Sequence, residues 1–403
     1  MRILFVVDGR SPIALNWMQY FIDQGHEVHL VTTFACQPAA GAQSQEIIPV
    51  AFSSAKGAAP GLLPDEKGFA LKSLWRLAWG AGGVKARTLL RQWLGTLTLP
   101  AAASRLAAAI QRIQPDVLHA MRIPFEGMMA AAALERLRRA NLAKPPLIVS
   151  VWGNDFTLHA GSTPLMAAMT RKTLRMVDGL HTDCRRDQRI ASRWGFPEGK
   201  PALAIPGNGG IRLDVFSPGE PSRSPLVVNP RGVRAYVRND AFFKAIPLVL
   251  EAAPEARFIG VGMQSDPHIQ RWVDQLGIAG AVELLPAQSQ AQMADVFRRA
   301  QAAVSPTTHD GTPNTLLEAM ACGCFPIAGD LESLREWISP GVNGLLCDPA
   351  DSLALAKAII AALTEPELRR RAAEYNRALI AERADYARTM PQAESFYRKV
   401  AVR

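Results

Sequence analysis

The chain has little of what marks a secreted, membrane-spanning or disordered protein. Its five cysteines, Cys36, Cys184, Cys322, Cys324 and Cys347, are odd in number and lack CxxC spacing, which argues against both a disulfide framework and a zinc site. No apolar run approaches the roughly 20 residues needed to cross a bilayer. The N-terminus, MRILFVVDGRSP, reads straight into a strand, without a secretory signal pattern. A cytoplasmic protein is expected. No HExxH, Asp-x-Asp pair or Cys and His cluster is found, so neither a metal nor a cofactor is expected. Acidic residues are missing from Lys67 to Pro115, where Lys67, Lys72, Arg76, Lys85, Arg87, Arg91, Arg105 and Arg112 stand unopposed.

With 403 residues, 48% hydrophobic and 20% charged, the chain suits two globular domains at roughly 100 to 200 residues each. Its net charge of +9 is uneven. The first 205 residues carry 24 Lys and Arg against 14 Asp and Glu, and the rest carry 21 against 22.

Short branched apolar runs alternate with amphipathic segments throughout. RILFVVD, GHEVHLVTT, PDVLHA, PLIVSVWG, DGLHTD and ALAIP give a first set of strands, and LVVNPRG, ARFIGVG, VELLP, AAVSP, CFPIAG and NGLLC a second. PGNGGIRLDVFSPGEPSRSP, rich in Pro, Gly and Ser, separates the sets. The expected organisation is a domain over 1–205, a linker over 206–225, a second domain over 226–380, and a C-terminal helix within 381–403 that packs back on the first. Both domains read as α/β, doubly wound and Rossmann-like, with ligand crevices at the carboxyl ends of the strands, in a deep cleft between domains.

The chemistry concentrates in SPTTHDGTPNTLLEAMACGCFPIAGD (305–330). Thr312 and Pro313 read as the N-cap and first residue of a helix. The amides of Asn314, Thr315 and Leu316 would then face an anion with the positive end of the helix behind them. Asp310 and Gly311 precede the helix, and Glu318 lies about 9 Å past Thr312 at 1.5 Å per residue. That span fits a nucleotide sugar: Asp310 toward sugar hydroxyls, amides on the diphosphate, Glu318 on the ribose diol. A turn aspartate and a solvated helix glutamate would show the same spacing, so spacing alone leaves both readings open.

The Asp-x7-Glu run with AMACG, CFPIAG, LESLREWI and GVNGLLCDP, in order after RILFVVDG, GHEVHLVT, PDVLHA, PGNGGIRLDVFSP and ARFIGVG, resembles glycosyltransferase family 4, whose hallmark is Glu-x7-Glu in the second domain of a GT-B fold. The resemblance covers most of the chain and is strongest after residue 200. It implies a retaining, metal-independent enzyme using a nucleotide-diphosphate sugar, with Asp310 in place of the first glutamate and Glu318 as the second. It also implies a cationic clamp at NPRGVRAYVRND, where Arg231 takes the arginine position and Arg238 falls near a missing lysine. Gly262 of ARFIGVG joins the donor-binding candidates. On the acceptor side Gly9, Arg10 and Ser11 occupy the first strand-end loop, and Trp152-Gly153-Asn154-Asp155 stands where the family often has His-Gly-x-Asp. Trp152 reads either as core or as a sugar platform, and Asp155 as an acceptor contact with a catalytic role alongside Asp310 and Arg231.

The basic stretch interleaves Phe69, Trp75, Trp79 and Trp93. Lys72, Trp75, Arg76 and Trp79 suit an anionic membrane surface, and hence a lipid-linked or cell-envelope glycan acceptor. A solvated basic face is the competing reading, and nothing suggests a nucleic-acid motif. Rival functions are a nucleotide-sugar binder without transfer and a nucleotide-sugar epimerase.

Overall fold

A computed structural model describes residues 1–51, 53, 91–219 and 225–402. Lys72, Trp75, Arg76 and Trp79 therefore lie outside the described residues. The chain forms two units, Met1–Gly209 with Met390–Arg403, and Gly210–Thr389.

The first unit is built on seven parallel strands: β1 (Arg2–Val7), β2 (Glu27–Thr32), β3 (Ser44–Ile47), β4 (Val117–Met121), β5 (Leu147–Val151), β6 (Gly179–Thr182) and β7 (Ala202–Ala204), in the order β3-β2-β1-β4-β5-β6-β7. The second has β8 (Leu226–Asn229), β9 (Arg257–Val261), β10 (Val282–Leu285), β11 (Ala302–Ser305), β12 (Phe325–Gly329) and β13 (Leu345–Cys347), ordered β10-β9-β8-β11-β12-β13 and again parallel. Each sheet reverses direction of growth once, at β1/β4 and at β8/β11. Loops leaving the strands at such a switch point diverge and open a crevice. Central strands such as Ile3–Val7 and Val117–Met121 are buried throughout, because helices cover both faces of each sheet.

The segment expected as a linker is largely part of the second unit. Ile211 and Phe216 are buried in its core. Arg298 holds the carbonyls of Val215 and Ser217 at 2.6 and 3.2 Å, and Ile211 exchanges hydrogen bonds with Ala384 and Tyr386. Gly210, at φ +124°, makes this approach, since a Cβ there would meet the Ala384 carbonyl at 2.6 Å. The last helix, Tyr386–Ala401, has its residues from Met390 onward in the first unit. Gly179 gives it room, because a Cβ there would strike Val400 and Phe396 at 2.6 and 2.9 Å.

That helix is anchored by a buried polar chain. Trp17 Nε1 donates to Tyr397 Oη at 3.0 Å, Tyr397 bonds His119 Nδ1, His119 Nε2 bonds Ser150 Oγ at 2.8 Å, Ser150 bonds His181 Nδ1 at 2.7 Å, and His181 Nε2 reaches the Ile205 carbonyl at 3.1 Å. An indole only donates and a carbonyl only accepts, so both ends fix one direction. Every hydroxyl donates once, and both imidazoles are neutral with the proton on Nε2. Burial agrees: it lowers the pKa of both histidines, His181 to about 4.

Since these folded-state values lie below the ordinary histidine value near 6.5, the stability they carry is complete above pH 6.5 and is lost as pH falls toward 4. Tyr397→Phe strands Trp17 Nε1 and His119 Nδ1, at a cost of about 1–3 kcal/mol. Urea unfolding of the first unit should show a lowered midpoint at pH 7.5 in this variant, and a midpoint falling between pH 6.5 and 4 in the unaltered chain. An unchanged midpoint with a flat pH profile would contradict the network's role.

Candidate functional site

In the second unit the switch point lies between β8 and β11. The loop after β8 is shaped from below by two buried asparagines. Asn229 Oδ1 accepts the Arg231 amide at 3.1 Å and its Nδ2 donates to Asn239 Oδ1 at 3.0 Å, while Asn239 Nδ2 donates to the Gly232 carbonyl at 2.9 Å. Gly232 and Gly262 both have positive φ, +63° and +70°, and a Cβ on Gly262 would lie 3.6 Å from Gly232 Cα. The loops after β8 and β9 thus touch through glycine backbone.

This frame aims Arg231 at the loop after β11. Its Nη2 lies 2.5 Å from Asp310 Oδ2 and its Nη1 donates to Thr315 Oγ1 at 3.3 Å. Ser333 Oγ holds the Asp310 carbonyl at 2.8 Å. Thr312 does not cap the helix as its sequence position suggests. It is buried, and its hydroxyl accepts Trp337 Nε1 at 3.0 Å. Pro313, extended at φ −72° and ψ 110°, takes the cap position, and the helix runs Asn314–Ala321.

Of the three amides expected to face an anion, Leu316 is spent on the Pro313 carbonyl at 2.9 Å. Those of Asn314 and Thr315 have no acceptor among the described residues. In the loops after β8 and β11 and at this helix start, Arg231 Nε, Ser305 Oγ, Thr307 Oγ1 and Asn314 Oδ1 are buried without partners among the described residues. Buried polar atoms in a native fold are nearly always paired, so this concentration marks a place built for a polar ligand.

One turn into the helix, Glu318 is 8% exposed. Burial pushes its pKa up to about 7, against the opposing charge of Arg231. A carboxyl raised this far keeps part of its protonated form near neutral pH, and a ligand donating two hydroxyl protons would draw it to the carboxylate.

Arg238 departs from its expected role. Its guanidinium grips Asp240 with both ends, at 2.8 and 2.7 Å. Another cation near Asp310 is Arg234, an exposed side chain whose pKa, against partial desolvation, Tyr236 and Asp310 raise. Three arginines in NPRGVRAYVRND gave the signal, but spacing could not say which one turns inward. Asn229 and Asn239 were not legible as site residues, because asparagine in a loop suggests a turn first.

In the first unit the loop after β1 is closed to ligands along its backbone. The amides of Gly9, Arg10 and Ser11 donate to Thr32 Oγ1, Asp8 Oδ1 and the Asp8 carbonyl at 3.0, 3.1 and 2.9 Å. Gly9 is required there, since a Cβ would sit 2.5 Å from Cys36 Sγ. Arg10 clasps both Asp8 oxygens at 2.9 Å and stacks 3.6 Å over Phe34. Ser11 Oγ caps the following helix.

Asp155 is corrected from acceptor contact to loop anchor. Its side chain is fully buried and takes hydrogen bonds from Arg122 and from the Trp152 and Ile123 amides, the closest at 3.1 Å. Those donors leave it no face for a substrate. Trp152 is half-buried, with Arg122 5.4 Å from its ring and its Nε1 without a partner among the described residues. Among the described residues, Asp183, Cys184 and Asp187 cluster closely enough to hold a metal ion, but Arg186 pairs with Asp187 at 2.9 Å and supplies the countercharge.

Two family models cover the chain: the glycosyl transferase 4-like domain matches residues 9–207 and glycosyl transferases group 1 matches 211–379. A D-inositol 3-phosphate glycosyltransferase of Mycobacterium sp. (strain KMS) is 32% identical over 177 residues, 41% of this chain and 40% of that protein. The one from Mycobacterium leprae (strain TN) is 33% identical over 149 residues, 34% of this chain and 35% of that protein. The chain thus matches about two-fifths of the length of these curated relatives. Among solved structures, sucrose-phosphate synthase from Thermosynechococcus elongatus superposes with a TM-score of 0.70 at 16% identity, covering 99% of both chains. Anabaena HepE in complex with UDP and glucose gives 0.69 at 14% identity, covering 99% of this chain and 100% of that one.

Proposed function

The chain belongs to the glycosyltransferases of family 4 type with the GT-B fold, and on that premise we propose that it transfers a sugar from a nucleotide-diphosphate donor to a hydroxyl acceptor with retention at the anomeric carbon. The observation that carries this reading is the arrangement at β8/β11: Arg231 paired with Asp310, two open amides at Asn314 and Thr315, and Glu318 one turn on.

In this scheme the amides and the unpartnered Arg231 Nε meet the diphosphate, Asp310 faces the donor sugar while orienting Arg231, and Glu318 accepts the ribose hydroxyls. The bond from the anomeric carbon to phosphate breaks as the acceptor oxygen adds on the same face. The acceptor's proton passes to the leaving phosphate oxygen. Negative charge building on that group is stabilised by Arg231, Arg234 and the helix start, the part a divalent cation would otherwise play, so the reaction proceeds without added metal.

The acceptor is a glycan or lipid-linked glycan of the cell envelope, reached at the cytoplasmic face of a membrane. Two exposed apolar side chains within the basic stretch, Trp93 at 59% and Leu97 at 68%, support a surface that settles against anionic lipid. No helix among the described residues is long and apolar enough to cross a membrane.

Release of nucleotide diphosphate from uridine, guanosine, adenosine and thymidine diphosphate sugars tests the transfer. One donor should turn over in the presence of a chelator, with kcat reduced about 100-fold or more in Asp310→Asn and little changed in Arg238→Ala. Binding without turnover for every donor would instead make the chain a nucleotide-sugar binder. Flotation with anionic liposomes at low salt should carry the protein upward, and less so after Lys72, Arg76 and Trp79 are replaced by alanine; no flotation would remove the membrane from the account.

A further inference from the structure

The helix Asn314–Ala321 starts without a side-chain cap, although a residue of capping type stands in the right place. A threonine hydroxyl ordinarily folds back to accept a backbone amide two or three residues on, and from Thr312 those amides belong to Asn314 and Thr315. Capped in that way, the helix start would be closed to an anion.

Trp337 draws Thr312 aside. Its Nε1 donates to Thr312 Oγ1 at 3.0 Å, and because an indole N–H only donates, the hydroxyl oxygen is held as its acceptor. Both residues are buried, 6% and 4% exposed, so little water competes for the bond. The tryptophan is itself held from behind. The Arg383 guanidinium lies 4.4 Å from its ring and donates to the Glu336 carbonyl at 2.7 Å. The Trp337 carbonyl accepts Asn343 Nδ2 at 2.9 Å. That same Nδ2 donates to Asn376 Oδ1 at 2.7 Å, Asn376 Nδ2 returns to the Asn343 carbonyl at 2.9 Å, and Asn343 Oδ1 accepts the Ser339 amide at 2.7 Å. Asn343 and Asn376 are fully buried, and Asn376 ties the arrangement to the helix Pro366–Arg383.

The start of Asn314–Ala321 is thus kept open by contacts that reach well behind it. Beside it, Arg231 Nε and Asn314 Oδ1 are buried without partners among the described residues. We propose that Trp337 is a positioning residue for the diphosphate of the donor: by holding Thr312 it keeps the amides of Asn314 and Thr315 free to receive the anion. It acts through Thr312 and not by contact with the nucleotide. The inference rests on the donor reading in calling that anion a nucleotide diphosphate.

Calorimetry with uridine, guanosine, adenosine and thymidine diphosphate identifies the one that binds most tightly, which is then titrated into the full chain, Trp337→Phe, Thr312→Val and the double variant. Trp337→Phe keeps an aromatic ring beside Arg383 and removes only the N–H. Its Thr312 should close on the amides and weaken the diphosphate about tenfold, the scale of one hydrogen bond to a charged group. In the Thr312→Val background the same change should alter affinity by no more than about twofold, because no hydroxyl is left to hold aside. An equal loss in both backgrounds would overturn the proposal and make Trp337 a packing residue. So would no loss in either. If Trp337→Phe does not fold, replacement of Trp337 by benzothienylalanine, in which sulfur takes the place of the N–H at nearly the same shape, is read in the same way. Diphosphate binding that depends on Trp337 in a chain that turns over no sugar would leave this inference standing and sink the transferase reading; turnover with diphosphate affinity untouched by Trp337→Phe would do the reverse.

Discussion

The contact between Arg231 and Asp310 is the constraint on which the second unit's site depends. It joins the loops after β8 and β11, the two that part at the switch point, and both partners are largely withdrawn from solvent, with side chains 8% and 15% exposed. Removing one partner of so buried a pair costs about 3–5 kcal/mol, chiefly because the other charge is left alone. The surroundings are arranged around it. Asn229 and Asn239 fix the arginine's backbone from below, Ser333 and Trp337 fix the loop that carries the aspartate and Thr312, and the helix then begins at Asn314 with two amides open.

An aspartate at position 310 fits this geometry. It reaches Arg231 while keeping the helix start clear, whereas a glutamate would carry its carboxylate one methylene further. The pair is already neutral before any ligand arrives. In the proposed function, attraction for a diphosphate then falls to the open amides, Arg234 and the Arg231 Nε, a division of labour that sequence spacing alone could not assign.

Much of the fold was legible because parallel strands buried on both faces leave an unmistakable mark. RILFVV, VLHAM, LIVSV, AAVS and FPIAG are continuous apolar runs, and each is a strand. Strand β3, SQEI, was not read, because an edge strand with partly exposed side chains has no such run. The linker over 206–225 was read too long because Pro and Gly mark irregular backbone, whether it is packed or not; Ile211 and Phe216 are packed. In the site, motif order singled out Asp310, Arg231 and Glu318, and the structure brings them near one another: Arg231 pairs with Asp310 and its charge reaches Glu318. The start of the helix, the Arg238–Asp240 clasp and the burial of Asp155 depend on side-chain directions and on partners 2 to 33 residues away, which local pattern does not carry.

The proposed placement of a nucleotide over this helix requires that Glu318, whose pKa burial raises to about 7, become a carboxylate when a diol donates to it. Calorimetric titration of the nucleotide-diphosphate glucose that binds, repeated in two buffers of different ionisation enthalpy, measures the protons exchanged. Binding should release about half a proton at pH 7, more at pH 6 and almost none at pH 9, and Glu318→Gln should bind without this release. Equal proton exchange in the variant and the unaltered chain, or none at pH 6 to 7, would contradict the placement of the nucleotide over this helix.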